Sequence, residues 1–403
     1  MKIAIITDSI EKGPTSIGKY TENFVRKLLE INKDKKIKII LIHGERKNLD
    51  VYKKVREVTI PFFRRKKHSF FPIRALLFMF SIVHDLIRTA KIIRFCKKEK
   101  IHIIHIPHLA GASAPSWGYL LLEDPSRLVI TLHGVAPLVI PPKLYFLDKS
   151  TIPLLTKIEV LKWKLFFRNR FEIMITVSHS EKRNISKNLA IPPEKIKVIY
   201  HGTDYKSCRL KGNWDPKQIL YQNHGINSPF IFHLSAYQPK KNVENIIKAF
   251  AIVRKRYNLK ERLVIGGKQP NHLKRLVKDL GIEDGVIFVG YIPKEELSIF
   301  YSTVEAFIFP SFHESFGMPI LEAMACGCPV ITSNAFSMPE VAGKVAIFVD
   351  PRNTEEIAET IYEIVTNKKL RRKLAKWGVE RAKKFTWERC GNEHFNIYLE
   401  IYI

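Results

Sequence analysis

Cysteine is scarce in this 403-residue sequence, which contains only five. They are Cys96, Cys208, Cys326, Cys328 and Cys390, and the closest two are separated by a single glycine. Five scattered thiols do not make the disulfide framework of a small secreted domain. We therefore expect reduced cysteines and a cytoplasmic location.

Long apolar runs are also missing. The best candidate, Phe70 to Ile87, is interrupted by Arg74, His84 and Asp85. It therefore falls short of the roughly 18 uninterrupted apolar residues that span a bilayer. The N-terminal sequence MKIAIITDSIEKG lacks the long apolar core and the small-residue cleavage site of a signal peptide. We expect a buried first strand there and no membrane-spanning segment.

Acidic residues are too few to balance the basic ones. The sequence has 39 Asp and Glu against 67 Lys and Arg, which gives a formal net charge of +28. So basic a surface favours polyanions, namely nucleic acid, anionic lipid headgroups or phosphorylated substrates. No recognised nucleic-acid-binding motif accompanies the charge, so we do not expect nucleic acid as a partner.

The basic charge is concentrated between Val51 and Lys100, where fourteen Lys or Arg stand against three Asp or Glu. Aromatic and aliphatic residues are interleaved with it, as in PFFRRKKHSFFPIRALLFMF. This mixture predicts contact with an anionic membrane surface, with basic side chains at the headgroups and apolar ones in the interface. The apolar residues are Phe62, Phe63, Phe70, Phe71 and Leu76 to Phe80. The alternative is a basic surface over a buried helix.

The chain alternates short β-branched runs with longer segments of helical period. This alternation indicates an α/β fold with parallel sheets covered on both faces, and the length predicts two domains. The expected strands of the first half are Lys2 to Thr7, Ile37 to Ile42, Ile101 to Ile106, Leu128 to Leu132, Ile173 to Val177 and Ile196 to Ile199. Those of the second half are Phe230 to Leu234, Arg262 to Ile265, Val286 to Val289, Ala306 to Phe309, Pro329 to Thr332 and Ala346 to Val349. The polar stretch Lys206 to Asn227 separates the two series, so we expect domains at 1–205 and 228–385 with a linker at 206–227.

The segment PSFHESFGMPILEAMACGCPVITSN, directly after the strand Ala306 to Phe309, has the pattern of an anion-binding helix start. Gly317 permits a turn, Pro319 suits the first helical position, and Gly327 suits the position after the last. Unpaired backbone N–H groups near Phe316 to Met318 would then attract phosphate, assisted by the helix dipole.

Two glutamates flank that helix start, with Glu314 in the loop before it and Glu322 eight positions later on the helix. One carboxylate can approach the group attached at one end of a bound diphosphate, and the other carboxylate can approach the group attached at the opposite end. Because sugar and ribose both offer hydroxyl donors, the arrangement fits a nucleoside diphosphate sugar, with Glu314 toward the hexose and Glu322 toward the ribose. The alternative is a pair of solvated glutamates, but the small apolar neighbours give Glu322 little structural reason to be there.

Other candidate residues also follow expected strands. Lys240 and Lys241 occupy the loop after Phe230 to Leu234, just before Asn242, which we expect to cap a helix. A lysine pair at a helix start is repelled by the helix dipole, so a purely solvated role has a cost.

In the first half, His133 directly follows the expected strand Leu128 to Leu132. Gly18 precedes a helix expected from Lys19 and lets the backbone approach a ligand closely. A dinucleotide site is not expected there, since G-x-G-x-x-G is missing. Metal binding is not expected either, because the histidines at 102, 105 and 108 have no Cys or carboxylate cluster around them.

Glu314 to Glu322 resembles the E-x7-E signature of family 4 retaining glycosyltransferases, with Ser315 replacing the first glycine of their usual E-G-F-G-x-P run. The resemblance extends over the whole chain. It implies the GT-B fold, in which two Rossmann-like parallel-sheet domains face a central cleft. The loop SIEKGPTSIGKY resembles the family's G-G-I-G-R-Y loop, with Ser16 replacing one glycine. Residues 386–403 are then expected to form a helix that crosses back to the first domain.

The resemblance also implies roles for the candidate residues. Lys241 would bind the donor diphosphate and steady its charge as it leaves, with Lys240 substituting for an arginine common in the family. His133 would contact the donor sugar, and Ile292 in VGYI would contact the nucleotide base through its backbone. The expected catalytic residues are thus His133, Lys241 and Glu314, and the expected donor-binding residues are Gly18, Lys240, Ile292, Phe316, Gly317, Met318 and Glu322.

The expected activity is retaining transfer of a hexose from a nucleoside diphosphate sugar to an acceptor hydroxyl, by front-face attack and with no cofactor or metal. The expected acceptor is a lipid-linked or cell-envelope glycan precursor at the inner face of the membrane. One alternative is a GT-B nucleotide-sugar epimerase. The other is a catalytically silent basic module that binds membrane or nucleic acid.

Overall fold

The computed structural model describes residues 1–11, 16–34, 36–44, 55–61, 71–108, 128–145, 170–204 and 215–403. Among these, the side chains of residues 11, 16, 71–82, 85, 142 and 145 are outside the description. The chain divides into two compact units. The first unit consists of Met1–Val135, Leu155–His201 and Trp387–Ile403, and the second of Ala136–Leu154 and Gly202–Thr386.

A seven-stranded parallel sheet forms the centre of the first unit. Its strands are β1 (Lys2–Ile6), β2 (Lys38–His43), β3 (Arg56–Thr59), β4 (Ile103–Ile106), β5 (Leu128–Thr131), β6 (Ile173–Thr176) and β7 (Ile196–Val198), in the order β3-β2-β1-β4-β5-β6-β7. Every residue of β4 and β5 is buried, as expected of a sheet covered on both faces.

A six-stranded parallel sheet forms the centre of the second unit. Its strands are β8 (Phe230–Leu234), β9 (Arg262–Gly266), β10 (Val286–Gly290), β11 (Ala306–Phe309), β12 (Val330–Ser333) and β13 (Ile347–Val349), in the order β10-β9-β8-β11-β12-β13. Parallel neighbours place the carboxyl ends of β8 and β11 side by side, which is where ligands bind in open parallel sheets.

Helices connect the strands. In chain order they are α1 (Asp8–Glu11), α2 (Ser16–Ile31), α3 (Phe71–Lys98), α4 (Ala136–Val139), α5 (Pro142–Tyr145), α6 (His179–Leu189), α7 (Pro216–His224), α8 (Val243–Tyr257), α9 (Asn271–Asp279), α10 (Lys294–Thr303), α11 (Met318–Ala325), α12 (Met338–Ala342), α13 (Thr354–Thr366), α14 (Lys368–Ala382) and α15 (Trp387–Tyr402). Short 3₁₀ turns cover Pro193–Lys195, Pro239–Lys241 and Glu283–Gly285. Apolar faces of α8 and α13 cover one side of the second sheet.

The C-terminal helix α15 packs on α2 and belongs to the first unit. Gly391 permits this approach, because a Cβ there would lie 3.0 Å from the Cβ of Lys27. Two buried contacts reinforce it: the Tyr20 hydroxyl lies 2.8 Å from His394 Nε2, and the hydroxyl of Tyr398 lies 2.6 Å from Nδ1 of the β4 histidine at position 105. The end of the chain is therefore part of the first unit's core.

The twelve strands expected from the sequence all form, with bounds that differ by at most two residues. The sequence analysis missed β3, an edge strand with the sequence REVT and two exposed ends. It also missed α7, which lies inside the predicted linker and is capped by Asp215 and Gly225. The expectation of reduced cysteines was wrong for Cys326, which is disulfide-bonded.

The segment for which we predict membrane contact is only partly described. Phe62, Phe63, Phe70 and the side chains of Phe71 and Leu76 to Phe80 lie outside the described residues. Within the described ranges, no helix is long and apolar enough to cross a membrane. On α3, Val83 and Ile87 are exposed, whereas Arg88 is buried and forms two hydrogen bonds with the carboxylate of Asp8.

Candidate active site

Two loops at the carboxyl ends of β8 and β11 bring Lys241 and Glu314 together. Lys241 ends the 3₁₀ turn after β8, and Glu314 lies in the loop between β11 and α11. Lys241 Nζ donates to Glu314 Oε1 at 2.6 Å and lies 5.0 Å from the centre of the Phe309 ring. The two side chains are 17% and 11% exposed, so water reaches this ion pair only in part.

Two opposed effects set the pKa of the Glu314 carboxyl group. Burial, the largest single cause, raises the pKa of Glu314, but the ammonium groups of Lys241 and Lys240 and hydrogen bonds from Lys241 and Ser311 together lower it by more, so the net pKa is below the usual value for glutamate. Glu314 is therefore a carboxylate at neutral pH. The site thus offers an acceptor for hydroxyl groups next to a cation that can hold an anion.

The helix α11 begins directly after the glutamate loop. Gly317 adopts φ +98° and turns the chain into the helix, a conformation that favours glycine. The first helical residue is Met318, one position before the predicted Pro319. The amides of a first helical turn lack partners within the helix, so this end of α11 presents donors beside the ion pair.

The residues around this helix start are held by side chains from neighbouring elements. The Ser337 hydroxyl lies 2.7 Å from the carbonyl oxygen of Glu314 and 3.1 Å from that of Phe316. Glu322 is partly buried on α11. Together with burial, which is the larger cause, its charge raises the pKa of Tyr301 on α10. The charge of the second predicted carboxylate is thus felt at a buried phenol.

The loops after β9 and β10 complete this edge of the sheet. Ile292 is buried, and a Cβ added at Gly266 would lie 2.8 Å from its Cδ1, whereas Tyr291 is 78% exposed. Gly267 has φ +91°, and a Cβ there would come 2.1 Å from the carbonyl oxygen of Ser235. Only a glycine at position 267 permits the loops after β8 and β9 to pack so closely.

His233, which the sequence analysis did not single out, lies buried on β8 beneath the lysine loop. Its Nδ1 donates to the carbonyl oxygen of Ile308 at 2.9 Å, so its Nε2 accepts from the Ser235 hydroxyl at 2.8 Å. Burial lowers its pKa to about 4, and the charge of Lys241 contributes to the shift. This neutral imidazole joins β8 to β11. No sequence pattern marked it, because its partner lies 75 positions away.

His133 belongs to the first unit, where it follows β5. Its Nε2 lies 2.9 Å from the carbonyl oxygen of Pro107. Because a carbonyl only accepts, Nε2 carries the proton and Nδ1 keeps a lone pair. Burial lowers the pKa of His133 to about 4, and the ring meets that of Tyr20 edge-on at 4.7 Å. His133 is therefore a neutral hydrogen-bond acceptor at physiological pH.

A buried glutamate that the sequence analysis overlooked supports the segment after β5. Glu181 Oε2 accepts from the backbone N–H of Val135 at 3.1 Å, two residues beyond His133. Its own backbone N–H donates to Ser178 Oγ, the N-cap of α6. The SHSE run 178–181 has the spacing of a capping box, and this was the signal that could have identified Glu181.

The structure groups most of the candidate residues in the second unit. They are Lys240, Lys241, Ile292, Glu314, Phe316, Gly317, Met318 and Glu322, which lie in loops after β8, β10 and β11 or on α11. Gly18 and His133 lie in the first unit. Gly18 is buried within α2, which begins at Ser16 rather than at the expected Lys19. Within the described ranges, no group of three or more His, Cys, Asp or Glu could hold a metal ion.

Sequence comparison finds two family profiles in the chain. The profile described as Glycosyl transferases group 1 matches residues 217–381, and the profile described as Glycosyltransferase Family 4 matches residues 21–207. The O-antigen chain mannosyltransferase B of Escherichia coli is 25% identical over 421 residues, covering 99% of each chain. The N-acetyl-alpha-D-glucosaminyl L-malate synthase of Bacillus anthracis is 26% identical over 318 residues, covering 77% of this chain and 76% of that protein.

Solved structures resemble the whole chain. A glycosyltransferase from Rickettsia africae superposes with a TM-score of 0.71 at 18% identity, over 100% of this chain and 98% of that one. The Anabaena HepE protein, in complex with UDP and glucose, has a TM-score of 0.71 at 16% identity, over 99% of this chain and 100% of that one. At these identities the likeness concerns the fold alone. It confirms the predicted fold class, GT-B, with two parallel-sheet Rossmann-like domains.

Proposed function

We propose that this chain, which belongs to the group 1 glycosyl transferases of glycosyltransferase family 4, moves a hexose from a nucleoside diphosphate sugar to an acceptor hydroxyl with retention of anomeric configuration. The observation that carries the proposal is the Lys241–Glu314 pair beside the start of α11. It combines a cation, helix amides and a carboxylate at one edge of the sheet. An activated sugar needs these groups for its diphosphate and its hydroxyls.

In the proposed reaction, the bond between the anomeric carbon and the diphosphate oxygen breaks. A bond from that carbon to the acceptor oxygen forms on the same face, and the acceptor proton passes to the departing diphosphate. Lys241, Lys240 and the amides of Phe316 to Met318 stabilise the charge that develops on the leaving group. We assign this neutralisation to protein groups rather than to a metal ion, since the sequence has no well-supported D-x-D site.

The remaining residues orient the donor. Glu314 accepts hydroxyls of the hexose, Glu322 accepts those of the ribose, and the backbone at Ile292 contacts the base. We assign to His133 a hydroxyl of the donor sugar, because its Nδ1 keeps a lone pair while Nε2 donates to a carbonyl. Gly18 lets the backbone of the first unit approach the substrate.

We base the proposed donor sugar and acceptor on the name of a similar protein. Because one relative is named as an O-antigen chain mannosyltransferase, we propose mannose as the first donor sugar to test and a cell-envelope glycan precursor as the acceptor. A thermal-shift panel of GDP-mannose, UDP-glucose and ADP-glucose identifies the donor, since a ligand that binds only the native state stabilises it. No shift with any nucleotide sugar would contradict the proposal.

Turnover tests the site directly. Lys241→Ala and Glu314→Ala should each lower the rate of sugar transfer by about 100-fold or more, the usual cost of removing a group that stabilises developing charge. Lys248→Ala is the matched control, since Lys248 is an exposed lysine on the helix that follows. Undiminished turnover in either site variant would contradict the proposed role of Lys241 and Glu314 in sugar transfer.

We also propose that the first unit sits on the inner face of an anionic membrane. Supporting this, α3 presents a stripe in which exposed aliphatic residues give way to basic ones. The stripe consists of Val83, Ile87, Lys91, Arg94 and Lys98, spaced as one helix face. On a different side of the helix, the buried Arg88–Asp8 pair fixes α3 to the start of α1.

Vesicle co-sedimentation tests this contact. The chain should sediment with vesicles containing phosphatidylglycerol at low salt and much less with pure phosphatidylcholine, because basic residues are attracted to anionic headgroups. Replacing Val83 and Ile87 by Gln should weaken binding, while Leu280→Gln, at an exposed leucine of the second unit, should not. No sedimentation at low salt would overturn the membrane proposal and leave the transfer proposal intact.

A further inference from the structure

Asn242, the residue after Lys241, has an unusual backbone for a helix start. It adopts φ 64° and ψ 31°, in the left-handed region, and it is 2% exposed. This conformation turns the chain from the 3₁₀ turn Pro239–Lys241 into α8. Non-glycine residues rarely adopt it, although asparagine does so more readily than most.

The Asn242 side chain does not form the helix cap that the sequence predicts. No backbone N–H group of α8 donates a hydrogen bond to the Asn242 side chain. Instead, Asn242 Nδ2 donates to the carbonyl oxygens of Pro310 at 3.0 Å and of Pro351 at 2.7 Å. Both partners are carbonyl oxygens, so the atom facing them must be the amide nitrogen, which has two hydrogens to give.

These bonds fasten the lysine loop to the glutamate loop. Pro310 begins the loop that leads to Glu314, and in the same loop the N–H of Phe312 donates to the carbonyl oxygen of Lys240 at 2.8 Å. Residues 240–242 and 310–312 are thus joined by two hydrogen bonds, one donated by each segment. The bond to Pro351 adds the loop after β13 to the same point.

Asparagine is the residue type that meets both requirements at this position. Glycine adopts positive φ at no cost but has no donor. Aspartate has the same size, yet its carboxylate would face two carbonyl oxygens with no hydrogen to donate. Alanine lacks the donor and is strained at φ 64°. The backbone conformation and the side-chain donor of Asn242 are therefore both needed at this position.

We infer that Asn242 is a positioning residue of the donor site, which sets the separation of Lys241 and Glu314 independently of their own ion pair. The inference rests on the proposed function, in which a diphosphate draws the lysine ammonium away from the glutamate. When that ion pair opens, the bonds of Asn242 to Pro310 and Pro351 keep both loops in place. The site is thus preorganised for the donor, with little loop movement required on binding.

Asn242→Gly tests the side chain while preserving the backbone conformation. It should lower kcat by about 10- to 100-fold at saturating donor, because misplacing a charged group by about 1 Å has an effect of this size. Asn258→Gly is the matched control, since Asn258 is exposed and has φ 51° at the other end of α8. Asn245→Ala removes a second donor to Pro351 but leaves Pro310 bonded, and it should stay within about 3-fold of the wild type.

A double-mutant cycle with Lys241→Ala separates positioning from general stability. If Asn242 acts through Lys241, Asn242→Gly will reduce turnover much less in the Lys241→Ala background than in the wild type. Equal fold losses in both backgrounds, or a wild-type kcat for Asn242→Gly, would overturn the inference. Full turnover of Lys241→Ala alone would instead overturn the proposed function. Circular dichroism and the Tm of each variant confirm that the rates compare folded proteins.

Discussion

At the scale of single residues, the Lys241–Glu314 pair links stability to activity. The two side chains are mostly buried, so removing one charge leaves the other without a partner in a place that water reaches poorly. Glu314→Gln keeps the shape and removes the charge. We expect it to lower the free energy of unfolding of the second unit by about 2 kcal/mol, as measured by urea denaturation.

An exposed ion pair provides the comparison. Lys383 and Glu380 also lie 2.6 Å apart, but their side chains are 47% and 62% exposed. Glu380→Gln should therefore change the unfolding free energy by less than about 0.5 kcal/mol. Equal losses for Glu314→Gln and Glu380→Gln would show that the burial of the first pair has no energetic consequence.

Histidine protonation predicts a pH dependence of stability. The pKa values of His133, His233 and His394 are about 4, with burial as the largest cause. Since the folded-state pKa is below that of the unfolded chain, about 6.5, each contribution is complete above pH 6.5 and is lost as the pH falls toward 4. At pH 5 each histidine should cost roughly 2 kcal/mol relative to pH 7.

Urea denaturation at pH 7 and pH 5 measures this loss. His133→Gln removes one titrating group and keeps a donor for the Pro107 carbonyl, so its stability should fall less between the two pH values. The exposed His272 is the matched control, and His272→Gln should retain the full wild-type difference. A stability that does not change from pH 7 to pH 5 would contradict the prediction.

At the scale of the element, the start of α11 depends on Gly317. A Cβ there would lie 3.1 Å from Ile320 Cδ1, and the backbone has φ +98°. Gly317→Ala should lower the unfolding free energy by about 2 kcal/mol. It should also weaken donor binding in thermal-shift titrations, because the amides at the helix start would move.

Gly281→Ala separates the effect of positive φ from the effect of a close contact between the added Cβ and its neighbours. Gly281 also has positive φ, at 66°, but a Cβ there meets nothing within 4 Å. Its alanine variant should show backbone strain of about 1 kcal/mol and unchanged donor binding. If Gly281→Ala weakened donor binding as much as Gly317→Ala, the role of Gly317 at the helix start would be wrong.

The strands were predictable because buried parallel strands are nearly continuous β-branched runs. β3 was not, since three of its four residues, REVT, are polar and the strand is partly exposed at the edge of the sheet. At Asn242 the residue type correctly indicated a helix start but not its hydrogen bonds. Its partners, Pro310 and Pro351, lie 68 and 109 positions away, and local propensity carries no information at such separations.

The same reasoning explains which candidate residues the sequence could point to. Lys241, Glu314 and Glu322 stand directly after strands or on the following helix, so chain order alone places them at one edge of a parallel sheet. His233 and Glu181 act through contacts between elements, and a buried histidine or glutamate looks the same in sequence whatever it touches.

At the scale of the whole molecule, the first unit is completed by the other end of the chain. Gly391 on α15 allows the approach to α2, so Gly391→Leu should force the helices apart and lower the stability of the first unit by about 2 kcal/mol. Hydrogen exchange should then accelerate in α2 and α15 and remain unchanged in the second sheet. Arg389→Leu, on the exposed side of α15, is the control. Unchanged exchange in α2 for Gly391→Leu would contradict the role of this glycine.

The position of α15 also has a consequence for synthesis on the ribosome. Domains usually fold in the order in which they emerge, and here the first unit emerges first but lacks Trp387–Ile403 until that segment has been synthesised. The buried rings of Tyr20 and Phe24 have no partner from α15 until then. The last residue of the second unit, Thr386, is synthesised before α15, so a nascent chain stalled at Thr386 would carry an unfinished N-terminal unit.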